Sequence, residues 1–136
     1  MSRYIAEHIK AFVALRADYR CEYCRIHKDD LFFTYQIDHI ISLKHDGLTE
    51  INNLAFACSL CNQNKGPNLG TYLLGSKRLI RLFNPRIDKW THHFEVESGE
   101  ILPKTRIAAA TIKVLDLNNI DRVILRQGLM EIGRYP

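Results

Sequence analysis

The sequence predicts an α+β fold in which two cysteine knuckles brace a small mixed core, with a helix before it and a hairpin plus helices after it. Three observations carry this expectation. All four cysteines fall into two Cys-x-x-Cys pairs, Cys21/Cys24 and Cys58/Cys61. The chain between the pairs is rich in β-formers, and the apolar spacing at either end of the sequence is helical.

Ser2 to Ala17 reads as a helix, with Ser2 as N-cap and Ile5, His8, Ile9, Phe12, Val13 and Leu15 or Arg16 near helical spacing. Leu31 to Ile37 leads into Asp38-His39-Ile40-Ile41 as a strand. Lys44-His45-Asp46-Gly47 reads as a loop, with Gly47 free to take positive φ. Leu54 to Ala57 is a short second strand, and a helix is expected from about Asn62 to Gly66-Pro67. Further on, Gly75-Ser76 can turn a hairpin, and Asn84-Pro85 has the form of a helix start. Ser98-Gly99 separates two strands, the first of which would carry His92 and His93. Helices at about Thr105 to Leu115 and Ile120 to Ile132 close the chain.

The length of 136 residues suits a single domain over 1–136, with a core at about 18–70 and a C-terminal extension at about 71–136. Apolar residues at 46% and charged residues at 25% are ordinary for a globular chain, which excludes a disordered or low-complexity class. No apolar run approaches the ~20 residues of a membrane helix. The N-terminus lacks the apolar core of a signal peptide, so a cytoplasmic location is expected.

The net charge of +4 is unevenly spread: residues 1–20 sum to +2, 21–61 to −3, 62–89 to +5 and 90–136 to zero. The basic block holds Lys65, Lys77, Arg78, Arg81, Arg86 and Lys89 against Asp88 alone. Such a block suits a polyanion, and equally a solvated basic face.

Two thiolate pairs of this spacing complete a tetrahedral four-cysteine zinc site. Two disulfides would need an oxidising compartment, and a redox pair would need one motif in a βαβ setting. Structural zinc fits the pattern best, because so short a segment buries little surface and needs a staple. Four thiolates leave that ion no open position for substrate.

Cys21-Glu22-Tyr23-Cys24, Ile37-Asp38-His39-Ile40-Ile41, Asn53-Leu54 and Cys58-Ser59-Leu60-Cys61-Asn62-Gln63-Asn64-Lys65-Gly66 together resemble HNH endonucleases, above all small stand-alone bacterial proteins braced by a four-cysteine zinc. The resemblance is strong over residues 21–66 and looser beyond. It implies a ββα-metal core, a β-hairpin crossed by a helix around one divalent cation. His39 would be the general base, since an imidazole of ordinary pKa is largely neutral at cellular pH. Asp38 and Asn62 would supply oxygen ligands to the catalytic ion, and Asn53 would brace the loop that orients the histidine. The last motif position, often His, is Asn62 here; hard oxygen donors suit Mg2+ or Mn2+. The products implied are a 5′-phosphate and a 3′-hydroxyl.

Lys65, one turn after Asn62, can face the same phosphate, or it is a solvated lysine. His45 can contact substrate from the loop, or sit on the surface. Arg78, Arg81, Arg86 and Lys89 are candidate backbone-phosphate contacts with the same bland alternative. Nucleic acid, DNA in the first place, is the expected partner, and a homodimer is compatible with a site that cuts one strand at a time. The alternative function is a non-catalytic zinc-dependent nucleic-acid-binding or adaptor module, which leaves Asp38, His39, Asn53 and Asn62 without a purpose.

Overall fold

The computed structural model describes residues 4–136, so Ser2, the expected helix cap, lies outside the described residues. The chain divides into two compact units, Met1–Pro67 and Asn68–Pro136. No helix among the described residues is long and apolar enough to cross a membrane.

The first unit opens with helix α1, Glu7–Arg16, which begins later than the periodicity predicts. Ala6 is extended and offers no capping side chain. The stripe that packs is narrow, with Ile5, Ile9, Val13 and Ala17 meeting Leu54 and Phe56. Those positions recur every four residues, the spacing of one helix face. Phe12 and Leu15, expected on that face, fall off it and are exposed. Arg16 Nη1 and Nη2 donate to the carbonyls of Ile51 and Leu54 at 3.0 and 2.7 Å, which fastens the helix end to the next segment.

Strand β1, Tyr35–His39, pairs antiparallel with β2, Leu54–Cys58, with Asp38 opposite Ala55 and His39 opposite Leu54. Every residue of β2 is buried, whereas β1 is mostly half-exposed. Helix α2, Ser59–Lys65, follows directly. It starts at Ser59 rather than near Asn62 because Cys58 Sγ accepts the Cys61 amide at 3.4 Å and caps it. Gly66, at φ 49°, ends it.

The connection between β1 and β2 carries short one-turn helices, Leu43–His45 and Ile51–Asn53. Here the expectation for Gly47 is corrected. Asp46 takes the left-handed conformation, at φ 64°. Gly47 is needed because a Cβ there would sit 1.7 Å from the Ile41 carbonyl oxygen.

In the second unit β3, Gly70–Thr71, pairs with β4, Ile80–Arg81, across a loop containing Gly75 at φ 80°. Asn84-Pro85 starts a single turn, not a helix: the Ile87 and Asp88 amides both donate to the Asn84 carbonyl, and the chain then leaves. Asp88 explains the stop. Its carboxylate accepts the Asn84 amide at 2.9 Å and both Arg81 nitrogens at 2.7 and 2.9 Å, which folds the turn back on itself. Helix α3, Trp90–His93, carries His92 and His93, which therefore precede the strand rather than belong to it.

Strands β5, Phe94–Glu97, and β6, Glu100–Pro103, form the expected hairpin. Its turn is Ser98-Gly99 at φ 51° and 80°. Helices α4, Arg106–Leu115, and α5, Ile120–Glu131, are capped by the Thr105 hydroxyl and the Asn119 side chain. Phe83, Phe94, Ile101, Ala108, Leu115 and Leu117 form the buried interior of this unit. Trp90 stacks on Phe94 at 4.9 Å between centroids.

Candidate active site

The four thiols meet as the spacing predicts. Cys21, Cys24, Cys58 and Cys61 are buried, unpaired by disulfides, and their sulfurs all lie within 4.8 Å of one another. Cys24 and Cys58 are 3.9 Å apart, against the about 3.8 Å that two sulfurs of a tetrahedral zinc–thiolate centre keep. Burial pushes the Cys21 and Cys61 thiols well above their usual range. A divalent cation reverses that cost, because it stabilises the thiolate it binds. The donor set fits a structural metal such as zinc.

Backbone bonds hold the knuckles ready. The Cys21 amide donates to Ile26 O and the Arg25 amide to Cys21 O, both at 2.9 Å, with Arg25 at φ 71° to close the loop. Glu22 ties this loop to β2: its amide donates to Phe56 O and its carboxylate accepts the Phe56 amide, both at 2.8 Å.

Beside the clamp, β1, the start of the following loop and α2 frame an open cleft of about 550 Å3 whose lining includes Asp38, His39, Ser42, Lys44 and Asn62. Alternation along β1 sends Asp38 and His39 to opposite faces, yet the strand ends there and both reach the cleft. His39 Nε2 lies 2.9 Å from Thr49 Oγ1. Asn62 Nδ2 donates to Gln36 Oε1, which turns the carboxamide oxygen away from that bond.

Asp38 is almost fully enclosed, at 4% exposure. The Tyr23 hydroxyl donates to Asp38 Oδ2 at 2.7 Å. Lys65 Nζ bridges both carboxylate oxygens, 3.2 Å from Oδ2 and 3.4 Å from Oδ1. Burial pushes the Asp38 carboxyl up, while the Lys65 charge and the Tyr23 hydrogen bond pull against it. Burial first, and the Asp38 charge after it, push the Tyr23 phenol well up, so it keeps its proton and stays a donor.

Lys65 is the clearest correction. Expected either to face a phosphate or to be solvated, it is 2% exposed. Its ammonium also donates to the carbonyls of His39 and Ile40 at 3.1 and 3.0 Å. These partners lie inside the unit, so its charge neutralises Asp38 and ties α2 to the end of β1. Lys44, which the sequence reading passed over, is the exposed cation lining the cleft. His45 is exposed on the same turn.

Asn53, buried at 8% exposure, pins the loop. Its Oδ1 accepts the Ile41 amide, and its Nδ2 donates to the carbonyls of Ile41 and Leu48, each at 2.9 Å. Asn53 therefore acts by holding backbone. The basic candidates Arg78, Arg81, Arg86 and Lys89 all fall in the second unit. Arg78 and Lys89 are exposed and Arg86 is half-buried. Arg81 gives a forked pair of hydrogen bonds to Asp88, which cancels its charge locally.

Three contributors escaped the sequence reading. Tyr23 sits inside the first knuckle, where its position next to the thiols was a usable signal; Lys44 and Thr49 gave none, because only the fold of the loop carries Lys44 to the cleft and Thr49 to His39.

Buried, clustered thiols with a polar cleft beside them define an α+β unit that carries a four-cysteine site suited to a structural metal. The segment that bears them is similar to a known family: residues 21–68 match the model of HNH endonuclease. That family implies nuclease activity in general and nucleic acid as the partner. No curated protein and no solved structure matches the chain.

Proposed function

We propose that the chain is an HNH endonuclease that hydrolyses phosphodiester bonds of nucleic acid, in the first place DNA, with His39 as general base and one divalent ion, Mg2+ or Mn2+. The observation that supports the reading is the shared cleft: His39, Asp38 and Asn62 all line it. In this reading β1, β2 and α2 are the ββα-metal core.

The donor set suits a hard cation, a carboxylate and a carboxamide oxygen on one wall. When bound there by Asp38 and Asn62, such an ion would offset the charge that develops on a phosphate and its leaving 3′ oxygen. His39 takes the proton of the attacking water. The Thr49 hydroxyl, 2.9 Å from Nε2, helps to hold the ring. Asn53 keeps the following loop fixed, and so keeps the ring in place. Lys44 meets the phosphate backbone at the cleft. Arg78, Arg86 and Lys89 add attraction from the second unit, and His45 from its turn.

The proposal extends to organisation. The two units act as one nuclease domain with the second as an extension, a homodimer supplies the second cut of a duplex, and cysteines read as metal ligands rather than disulfides support a reducing, cytoplasmic setting.

The test is plasmid nicking with the pure protein and Mg2+ or Mn2+, beside His39→Ala. Wild type is expected to cut, and His39→Ala to bind DNA while losing about 100-fold or more in rate. Binding by both without cleavage would instead assign the adaptor function.

A further inference from the structure

We propose that Tyr23 is a positioning residue for the divalent-ion site, fixing the Asp38 carboxylate and so making the geometry of that site depend on the zinc knuckle. The inference rests on the reading of Asp38 as an ion ligand.

Tyr23 stands between two of the four clustered cysteines, so the point from which its ring departs is set by the thiol clamp. The ring is wholly buried. Phenylalanine would fill the same space, and the hydroxyl is tolerated there because it has a partner: Asp38 Oδ2, 2.7 Å away and 15 positions along the chain. A carboxylate turns easily about its last torsion. Lys65 reaches both oxygens but from longer range, at 3.2 and 3.4 Å, and so neutralises the group without choosing its rotation. The short bond from Tyr23 selects one oxygen and locks the plane. The lone pairs left over then point in one direction, and Asp38 lines the cleft. Tyr23 acts through Asp38 and touches neither substrate nor water.

The experiment compares the zinc-loaded full chain with Tyr23→Phe, Asp38→Ala and the double variant, titrating Mn2+ by electron paramagnetic resonance and measuring cleavage against Mn2+ concentration. Tyr23→Phe should keep one zinc per chain and the wild-type circular dichroism. Its Mn2+ affinity should fall about tenfold. The Mn2+ needed for half-maximal cleavage should rise by the same factor, while the rate at saturating Mn2+ returns to near wild type. In the Asp38→Ala background, Tyr23→Phe should change Mn2+ binding no further. Unchanged Mn2+ affinity, an equal loss without Asp38, or loss of zinc from Tyr23→Phe would each overturn the proposal, the last by assigning the hydroxyl to folding. A wild type that binds no Mn2+ through Asp38 overturns it too. A wild type that binds Mn2+ through Asp38 yet never cuts defeats the nuclease reading alone, and the resonance titration still decides the role of Tyr23.

Discussion

Replacing Asn53 with alanine isolates the loop that follows His39. The side chain makes three hydrogen bonds of 2.9 Å with the backbone of Ile41 and Leu48, and it is 8% exposed. At a net value of about 1 kcal/mol each, their loss costs about 3 kcal/mol. For a unit of this size each kcal/mol lowers the melting temperature by roughly 4–8 °C, so the expected drop is roughly 12–24 °C. Asn53→Asp separates shape from donation. It keeps an acceptor for the Ile41 amide but sets a carboxylate oxygen against the carbonyls of Ile41 and Leu48. At neutral pH it should be no more stable than Asn53→Ala, and it should regain part of the loss in acid, where the carboxyl can donate. The assay is thermal unfolding by circular dichroism with zinc content measured alongside. An Asn53→Ala protein within about 1 kcal/mol of wild type, where three net bonds predict three times that, or an Asn53→Asp protein equal to wild type at neutral pH, would refute the reasoning.

Three other outcomes are expected. Lys65→Met strips Asp38 of its buried counter-charge and should cost roughly 3 kcal/mol or more, whereas the salt dependence of DNA binding by the folded fraction should keep its slope; a slope reduced by about one would return Lys65 to the phosphate-contacting set. Asp88 is held below the usual carboxylate range, first by its hydrogen bonds from Arg81, so its contribution is fully present above its unfolded pKa and lost as pH falls through the lower folded value. Melting temperatures of wild type and Asp88→Asn should therefore differ at neutral pH and converge in acid, once the pH falls below the lowered folded value, and a constant difference would contradict this linkage. Removal of zinc by a strong chelator should make all four thiols reactive and collapse the far-ultraviolet signal of the first unit; thiols that stay inert with the fold intact would mean that no metal holds it.

How far the chemistry was legible depended on whether its signal was local. The Cys-x-x-Cys pairs and the Ser98-Gly99 turn are set by neighbours in sequence, and each is found where the pattern places it. Helix starts were less legible. Ser59 begins α2 because a cysteine sulfur caps it, a use of Cys58 invisible to rules built on oxygen caps. Asn84-Pro85 has the residues of a helix start, but Asp88 and Arg81 close the turn before a second one forms. Gly47 was read for its freedom, whereas its role is to leave room for a carbonyl.

The largest departure concerns charge. A sequence shows that Lys65 is cationic and one helical turn past Asn62; it does not show which way the strand beneath it ends. At the end of β1 the carbonyls of His39 and Ile40 both accept from the Lys65 ammonium, which also pairs with the Asp38 carboxylate. Burying such a pair costs desolvation, and the arrangement recovers it only with each partner satisfied. Tyr23 adds a hydrogen bond to Asp38 Oδ2. Thus the cation nearest the motif serves the interior, and the proposed attraction for a polyanion would fall to Lys44 on the cleft and to the exposed cations of the second unit. If substrate binding is steered this way, Lys44→Ala should lower the salt slope of DNA binding by about one phosphate contact, with the thermal stability of the exposed position unchanged. A slope equal to that of wild type would remove Lys44 from the substrate-binding wall.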